Sequence, residues 1–364
     1  MKVSEITNEL EKLAPLGYAE NFDNVGLLVG DLNAEVSKIL VTLDTTEEVV
    51  QEAIEKGANL IVSFHPIIFS GMKKLTGKSY VERIVQLAIK NDIHIYATHT
   101  ALDNAEFGVN FQIAQQLNLK NTRILIPQKD TLRQLVTYVP NQSAERLRNA
   151  LFEAGAGNIG NYDQCSFNLK GTGTFRAGTD ANPYIGETGK THFEEETRIS
   201  VVFNKHLQNP ILKALQENHP YEEVAYEIIS LENLNQTIGI GMLGDLENEV
   251  SEEEFLAYLK ERMKTKMIRH SKFLNKKIKK VAVLGGSGSF AIQAAKSAGA
   301  DVFITSDLKY HQFFEAEDAI LLADIGHYES EQFTKNLLTA YLSEKFPNFA
   351  VLNSEINTNP VYYN

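Results

Sequence analysis

Apolar residues along the chain recur at two different periods, and their alternation predicts an architecture. Residues 4–13 carry Ile6, Leu10 and Leu13 at helical spacing. Residues 38–44 read as a strand that runs into Thr45 and Glu48, a pair with the spacing of a capping box. The helix that follows has Gly57 as its stop. Residues 59–63 are too continuously apolar for a half-exposed strand and predict a central one in a parallel sheet. A helix over 79–90, a strand over 93–97 and a helix over 109–117 continue the series. Strands alternating with helices imply βαβ units, so this segment is expected to be α/β with both sheet faces covered.

The pattern changes after Pro127. Strands are predicted over 135–139, 164–169, 197–203 and 224–229, with helices over 144–154 and 207–218 and a glycine-rich turn region over 171–178. The order β-α-β-β-α-β is that of a ferredoxin-like module. Alternation then resumes. Ser251 and Glu254 form a second capping box before a helix through Met263. Strands follow over 280–284, 301–305 and 319–323, with helices over 290–298 and 310–315 and a long one from His327. The expected organisation is one α/β body with mainly parallel sheets, formed by residues 1–129 and 236–364 and interrupted by an inserted α+β domain over 130–235.

Composition narrows the class. At 364 residues with 43% hydrophobic and 23% charged, the chain can bury real cores without staples. A single cysteine, Cys165, cannot form an internal disulfide or a cysteine-based zinc cluster, which fits a reducing, cytoplasmic setting. No apolar run has the length of a membrane span or the form of a signal peptide. A net charge of −12 opposes nucleic acid and anionic membranes, and the lysine cluster 276–280 reads as a solvated approach to a strand.

Three places could carry chemistry, and all are ends of predicted strands, where loops of an open α/β sheet are free to bind ligands. His65 follows the strand at 59–63, and Pro66 holds it extended. His99 and Asp103 follow the next strand. His327 and Glu331 stand four apart at a helix start and so share a face. Each has a plainer reading: a histidine satisfied by backbone, a capping aspartate, a solvated surface pair. Their joint occurrence at three strand ends favours a site for divalent metal, with zinc expected first and manganese or iron also suited to imidazole and carboxylate. Gly285, Gly286, Ser287 and Gly288 lie between strand and helix, where backbone amides could cradle a phosphate. The same glycines equally suit a tight turn, and the motif fits neither a dinucleotide fingerprint nor a P-loop.

These elements together resemble the Nif-three-like family (NGG-one-interacting factor three), whose members are often labelled GTP cyclohydrolase 1 type 2 homologues. The resemblance rests on residues 23–27, 64–66, 99–103, 285–288 and 327–331, with 171–176 and 219–223 resembling the inserted domain of longer members. It implies a dinuclear metal centre, a ring-shaped homohexamer and an insert like PII or CutA modules. It also implies that His65, Asp103, His327 and Glu331 are ligands. One position departs, because Phe64 stands where the family has the first histidine of His-His-Pro. One metal thereby loses a ligand, leaving a weakened second ion, help from His99, or a single ion as alternatives.

The expected function is a metal-dependent hydrolase of a nucleotide-like substrate, with Glu331 or Asp103 orienting or activating water. The alternative is a non-catalytic regulatory or assembly protein whose insert senses a small ligand. A dinucleotide-dependent dehydrogenase is disfavoured by the glycine spacing.

Overall fold

In the computed structural model, residues 1–363 are described, and they divide into two compact units. One combines Met1–Pro127 with the chain from Gln236 onward, and the other is Gln128–Asn235.

The first unit is a mixed α/β fold with two sheets. Its five-stranded sheet has the order Gly26–Val29, His94–Ala97, Leu60–Ser63, Ile39–Thr42, Val351–Asn353. All pairings are parallel except that of the first edge strand. The six-stranded sheet runs Arg269–His270, Leu321–Asp324, Val302–Ser306, Lys277–Ser287, Gly239–Ser251, Lys120–Pro127. Here only the three central strands are parallel; the flanking pairings are antiparallel. This sheet is thus more mixed than the pattern predicts, because the long strands at 120–127 and 239–251 lack a clear period.

The continuous apolar strands are buried on both faces, and successive side chains divide between two cores. Ile39, Val41, Leu60 and Val62 pack with Val281, Val283, Val302 and Ile304 in one core, which also holds helices Val3–Leu13, Val109–Gln116, Glu252–Met263 and Thr334–Lys345. Leu40 and Ile61 point the other way, toward helices Glu47–Lys56 and Tyr80–Lys90. Ala282, Leu284, Phe303 and Leu322 do the same on the second sheet, toward Ile292–Ser297. A helical layer therefore lies between two sheets, and each sheet carries helices on its outer face. No described helix is long and apolar enough to cross a membrane.

Local signals hold in part. Gly57 ends its helix at φ 66°, and the Ser251–Glu254 capping box forms. At the earlier site the cap is Thr46, whose side chain accepts from the Val49 amide, rather than Thr45. The helix expected from His327 is two helices, His327–Glu331 and Thr334–Lys345. The expected helix over 290–298 is a 3-10 turn, Ser289–Ala291, followed by Ile292–Ser297.

In the second unit, strands Phe167–Arg176, Thr191–Asn204, Leu132–Pro140 and Tyr226–Leu231 form an antiparallel sheet in that spatial order. Helices Ala144–Glu153 and Gln208–Asn218 pack on one face over Leu135, Val139, Ile199, Val201 and Phe203. The glycine-rich stretch expected as a turn is largely strand, paired residue by residue with Thr191–Ser200.

Candidate metal centre

The carboxyl ends of the parallel strands place the polar side chains. His65 lies just past Leu60–Ser63, its amide donating to the Leu43 carbonyl at 2.9 Å. Its carbonyl accepts from Ser63 Oγ at 2.8 Å, so the backbone there is held from both sides. Past Leu321–Asp324, Gly326 starts a short helix of which His327 and Glu331 are the first and last residues. One helical turn brings their side chains to one face.

His65 Nε2 and His327 Nε2 each lie 3.2 Å from Glu331 Oε2. The ligand atoms of these three residues all fall within 4.8 Å of one another. Glu331 is 3% exposed, yet Oε2 has no hydrogen bond of good geometry. A buried carboxylate oxygen facing two ring nitrogens without a directed hydrogen bond fits a cation shared by all three.

The opposite ring nitrogens strengthen that fit. His65 Nδ1 donates to Asp44 Oδ1 at 2.8 Å, and His327 Nδ1 donates to Asp307 Oδ2 at 2.6 Å. A carboxylate can only accept, so it keeps one proton on Nδ1, and Nε2 is the nitrogen that would give up its proton to a cation placed beside Glu331. Carboxylate–histidine pairs of this kind orient metal ligands and raise their basicity.

Asp103 is buried in the short helix His99–Asp103, and its Oδ1 also lacks a hydrogen-bond partner. It is outside the set of three converging ligands. The ring of His99 stands 5.4 Å from that of His65, and its Nδ1 donates to Asp23 Oδ1 at 2.8 Å. The backbone of Thr100 also donates to Asp23, at 3.0 Å. Phe64 is fully buried, with its ring 4.8 Å from His65 and 5.6 Å from His99.

Charge around Glu331 is strongly organised. Burial alone would depress both imidazoles, but Glu331 and Asp44 hold His65 up at about 10. Against the same burial, Asp307 and Glu331 hold His327 up at about 11. Burial pushes Glu331 up, and His65 and His327 overcome it and bring it down to about 2. The Asp103 carboxyl goes well above the usual range, first through burial and then through Glu331. The pocket thus favours positive charge beside Glu331, which a divalent ion supplies at one point.

The glycine-rich turn serves this site from behind. The Gly285 amide donates to Asn110 Oδ1 at 3.0 Å and the Gly286 amide to Ser330 Oγ at 2.9 Å. Two of the amides considered for a phosphate cradle are therefore engaged within the protein. Gly286 adopts φ 69°, and a Cβ there would stand 2.4 Å from Glu331 Oε1. The glycine lets the backbone pass directly against the buried carboxylate.

Asp23, Asp44, Asp307 and Asn110 were not legible as site residues. The signal available for Asp44 and Asp307 is position, since they stand two and one residues past the parallel strands Ile39–Thr42 and Val302–Ser306. A lone aspartate after a strand looks the same when it merely closes a turn.

Known proteins place the chain. A protein of Bacillus subtilis (strain 168) named GTP cyclohydrolase 1 type 2 homolog is 38% identical over 364 residues, covering 98% of this chain and 97% of that one. One of the same name from Staphylococcus aureus (strain MSSA476) is 36% identical over 368 residues, covering both chains completely. The crystal structure of a Bacillus cereus protein related to NIF3 superposes with a TM-score of 0.87 at 38% identity, covering 100% of this chain and 99% of that one. Residues 1–360 match the Duf34/NIF3 (NGG1p interacting factor 3) family, and the chain belongs to it.

Proposed function

We propose that this protein is a metal-dependent hydrolase whose ion is held by His65, His327 and Glu331. The observation that carries the reading is the convergence of those three ligand atoms, with each imidazole backed by its own carboxylate. Three protein ligands with an open position are the usual arrangement of a catalytic rather than a structural site. A divalent ion in such a site supplies Lewis acidity and brings the ionisation of water toward neutral pH.

The chain's own residues define the rest. Asp44 and Asp307 hold the two imidazoles in the tautomer that exposes Nε2. Buried Asp103 has Oδ1 free to accept or return a proton during hydrolysis. Phe64 places an apolar ring where the family has a histidine, which argues for one ion per chain. Zinc is the expected metal, with manganese or iron also suited to the donors. The substrate class is nucleotide-like, following the name its relatives carry.

Further proposals rest on the architecture. We assign residues 130–235 as an inserted ferredoxin-like domain of PII or CutA type within a body formed by 1–129 and 236–364. The strand order and fully antiparallel pairing support it. A ring-shaped homohexamer in the cytoplasm is the proposed assembly and setting.

The test is elemental analysis of purified protein beside a nucleotide hydrolysis screen, with wild type compared to Glu331→Ala. About one ion per chain, with turnover lost in the variant, supports the hydrolase. Metal without turnover on any nucleotide shifts the reading to the regulatory alternative. No metal after reconstitution overturns both.

A further inference from the structure

The second unit holds a cavity of about 770 Å³ on the sheet face opposite its helices, within the size range of small-molecule sites. Cross-strand register explains its floor. Arg198 is flanked by Tyr138 and Leu169, and Glu196 by Gly171, so all project from one face. Phe175, Tyr221 and Tyr184 form an aromatic wall, with ring centroids 5.9 and 6.3 Å apart along the series.

The charges in this cavity are unevenly committed. Glu196 is 9% exposed, and its Oε1 accepts from Tyr221 Oη at 2.7 Å. That bond fixes the tyrosine ring as a wall and uses much of the carboxylate's capacity. Its other oxygen lies against Gly173, where a Cβ would come within 2.1 Å. Glu222 accepts from the Asn182 amide at 2.9 Å, which ties down the loop that borders the cavity. Arg198 is half-buried beside its cross-strand partner Tyr138, and among the described residues no carboxylate forms an ion pair with it. Lys170 borders the same space but pairs with Thr197, between Glu196 and Arg198, and so alternates to the other face, which leaves Arg198 as the cation of this floor. A half-buried guanidinium with five unclaimed donors is suited to bidentate capture of an oxyanion.

We propose that this cavity binds a small planar ring carrying an oxyanion, a phosphate or a carboxylate. The ring lies against Phe175, Tyr184 and Tyr221, and the oxyanion meets Arg198. Stacking and charge act on different parts of the ligand, so neither a bare anion nor an uncharged ring satisfies the site. The cavity is formed by the second unit alone and stands whether or not the metal centre is catalytic.

Calorimetry on the full-length protein tests this with adenosine 5′-monophosphate and 4-hydroxybenzoate as ring-bearing anions. Inorganic phosphate, acetate and adenosine serve as the separated parts. The expected result is binding of at least one ring-bearing anion, ten-fold or more tighter than its parts, and weakened at least ten-fold by Arg198→Ala. Tyr184→Ala, on an exposed wall residue, should also weaken it while leaving the thermal midpoint near wild type. If both ring-bearing anions fail to bind, or phosphate alone binds as well, the proposal falls. It also falls if neither anion binds and Arg198→Glu instead changes the mass in light scattering, because the face is then an interface between copies.

Discussion

At the residue scale, the telling position is 64. The Phe64 ring is fully buried against His65 and His99, while Asp103 nearby keeps an unpartnered carboxylate oxygen. The family resemblance implies a histidine donor at this position, and the proposal of one ion per chain rests on its replacement by an apolar ring. Phe64→His should therefore raise metal content from about one toward two ions per chain, read by elemental analysis. Unchanged stoichiometry at saturating metal would mean that Asp103 has some other partner. Gly286 is the second such position. Alanine there meets both a left-handed backbone and the Glu331 carboxylate, so Gly286→Ala should destabilise the fold by about 1–3 kcal/mol in a denaturant titration. It should also weaken metal binding, because the side chain that must move is one of the three proposed ligands. A variant with wild-type stability and affinity would show that Glu331 has room the structure does not reveal.

At the element scale, the C-terminal segment acts as a strap over the ligand supports. Thr358 Oγ1 donates to Asp44 Oδ2 at 2.6 Å, while the other oxygen of Asp44 holds His65. Asn359 Nδ2 donates to Glu329 at 3.1 Å, within the helix that carries His327 and Glu331. Thr358→Val should weaken metal binding several-fold, less than the roughly 10-fold expected for Asp44→Asn, and Thr358→Ser should restore it. Equal affinity in all three would remove the strap from the site. The strap is anchored by buried Glu52, which accepts from the Glu355 amide at 2.9 Å and pairs with Lys56. Burial pushes the Glu52 carboxyl up, but these hydrogen bonds win and hold it below its ordinary value. A lowered folded-state value means the stabilisation is present above the unfolded carboxylate range and is lost as pH falls through the folded one. Glu52→Gln should thus flatten the acid limb of the stability curve below about pH 4.5. An unchanged limb would mean other carboxylates control it.

The same scale explains what could be read from the chain. Strand ends were legible because buried parallel strands are continuous apolar runs, and His65, His327 and Glu331 stand directly beyond two of them. The strap was not, since residues 354–363 have no period and act through single hydrogen bonds to residues some three hundred positions away. The glycines at 171 and 173 suggested a turn because glycine weakens strand propensity. Cross-strand pairing overrode it, and the missing side chains make room for Glu196 and the open floor. Asp44 and Asp307 stayed hidden because a hydrogen bond to a ring nitrogen leaves no mark in spacing.

At the scale of the whole molecule, the centre joins the two sheets of the first unit. His65 comes from the five-stranded sheet, and His327 with Glu331 from the end of the six-stranded one, separated by more than two hundred residues of chain. An ion held there connects sheets otherwise joined through their shared apolar core, and it binds only when both are in place. Binding restricted to the folded state stabilises by about 2.7 kcal/mol when the free ion is at 100 times its dissociation constant. For a body of this size that corresponds to roughly 5–10 °C in Tm. Chelation of the purified protein should lower the midpoint by that amount in a scanning experiment, and re-addition of zinc should recover it. In His327→Ala the shift should vanish, whereas in Arg198→Ala, whose side chain lies in the second unit, it should persist in full. A midpoint that ignores chelator in the wild type would mean that the sheets are held by packing alone and that the three converging ligands bind no ion of consequence.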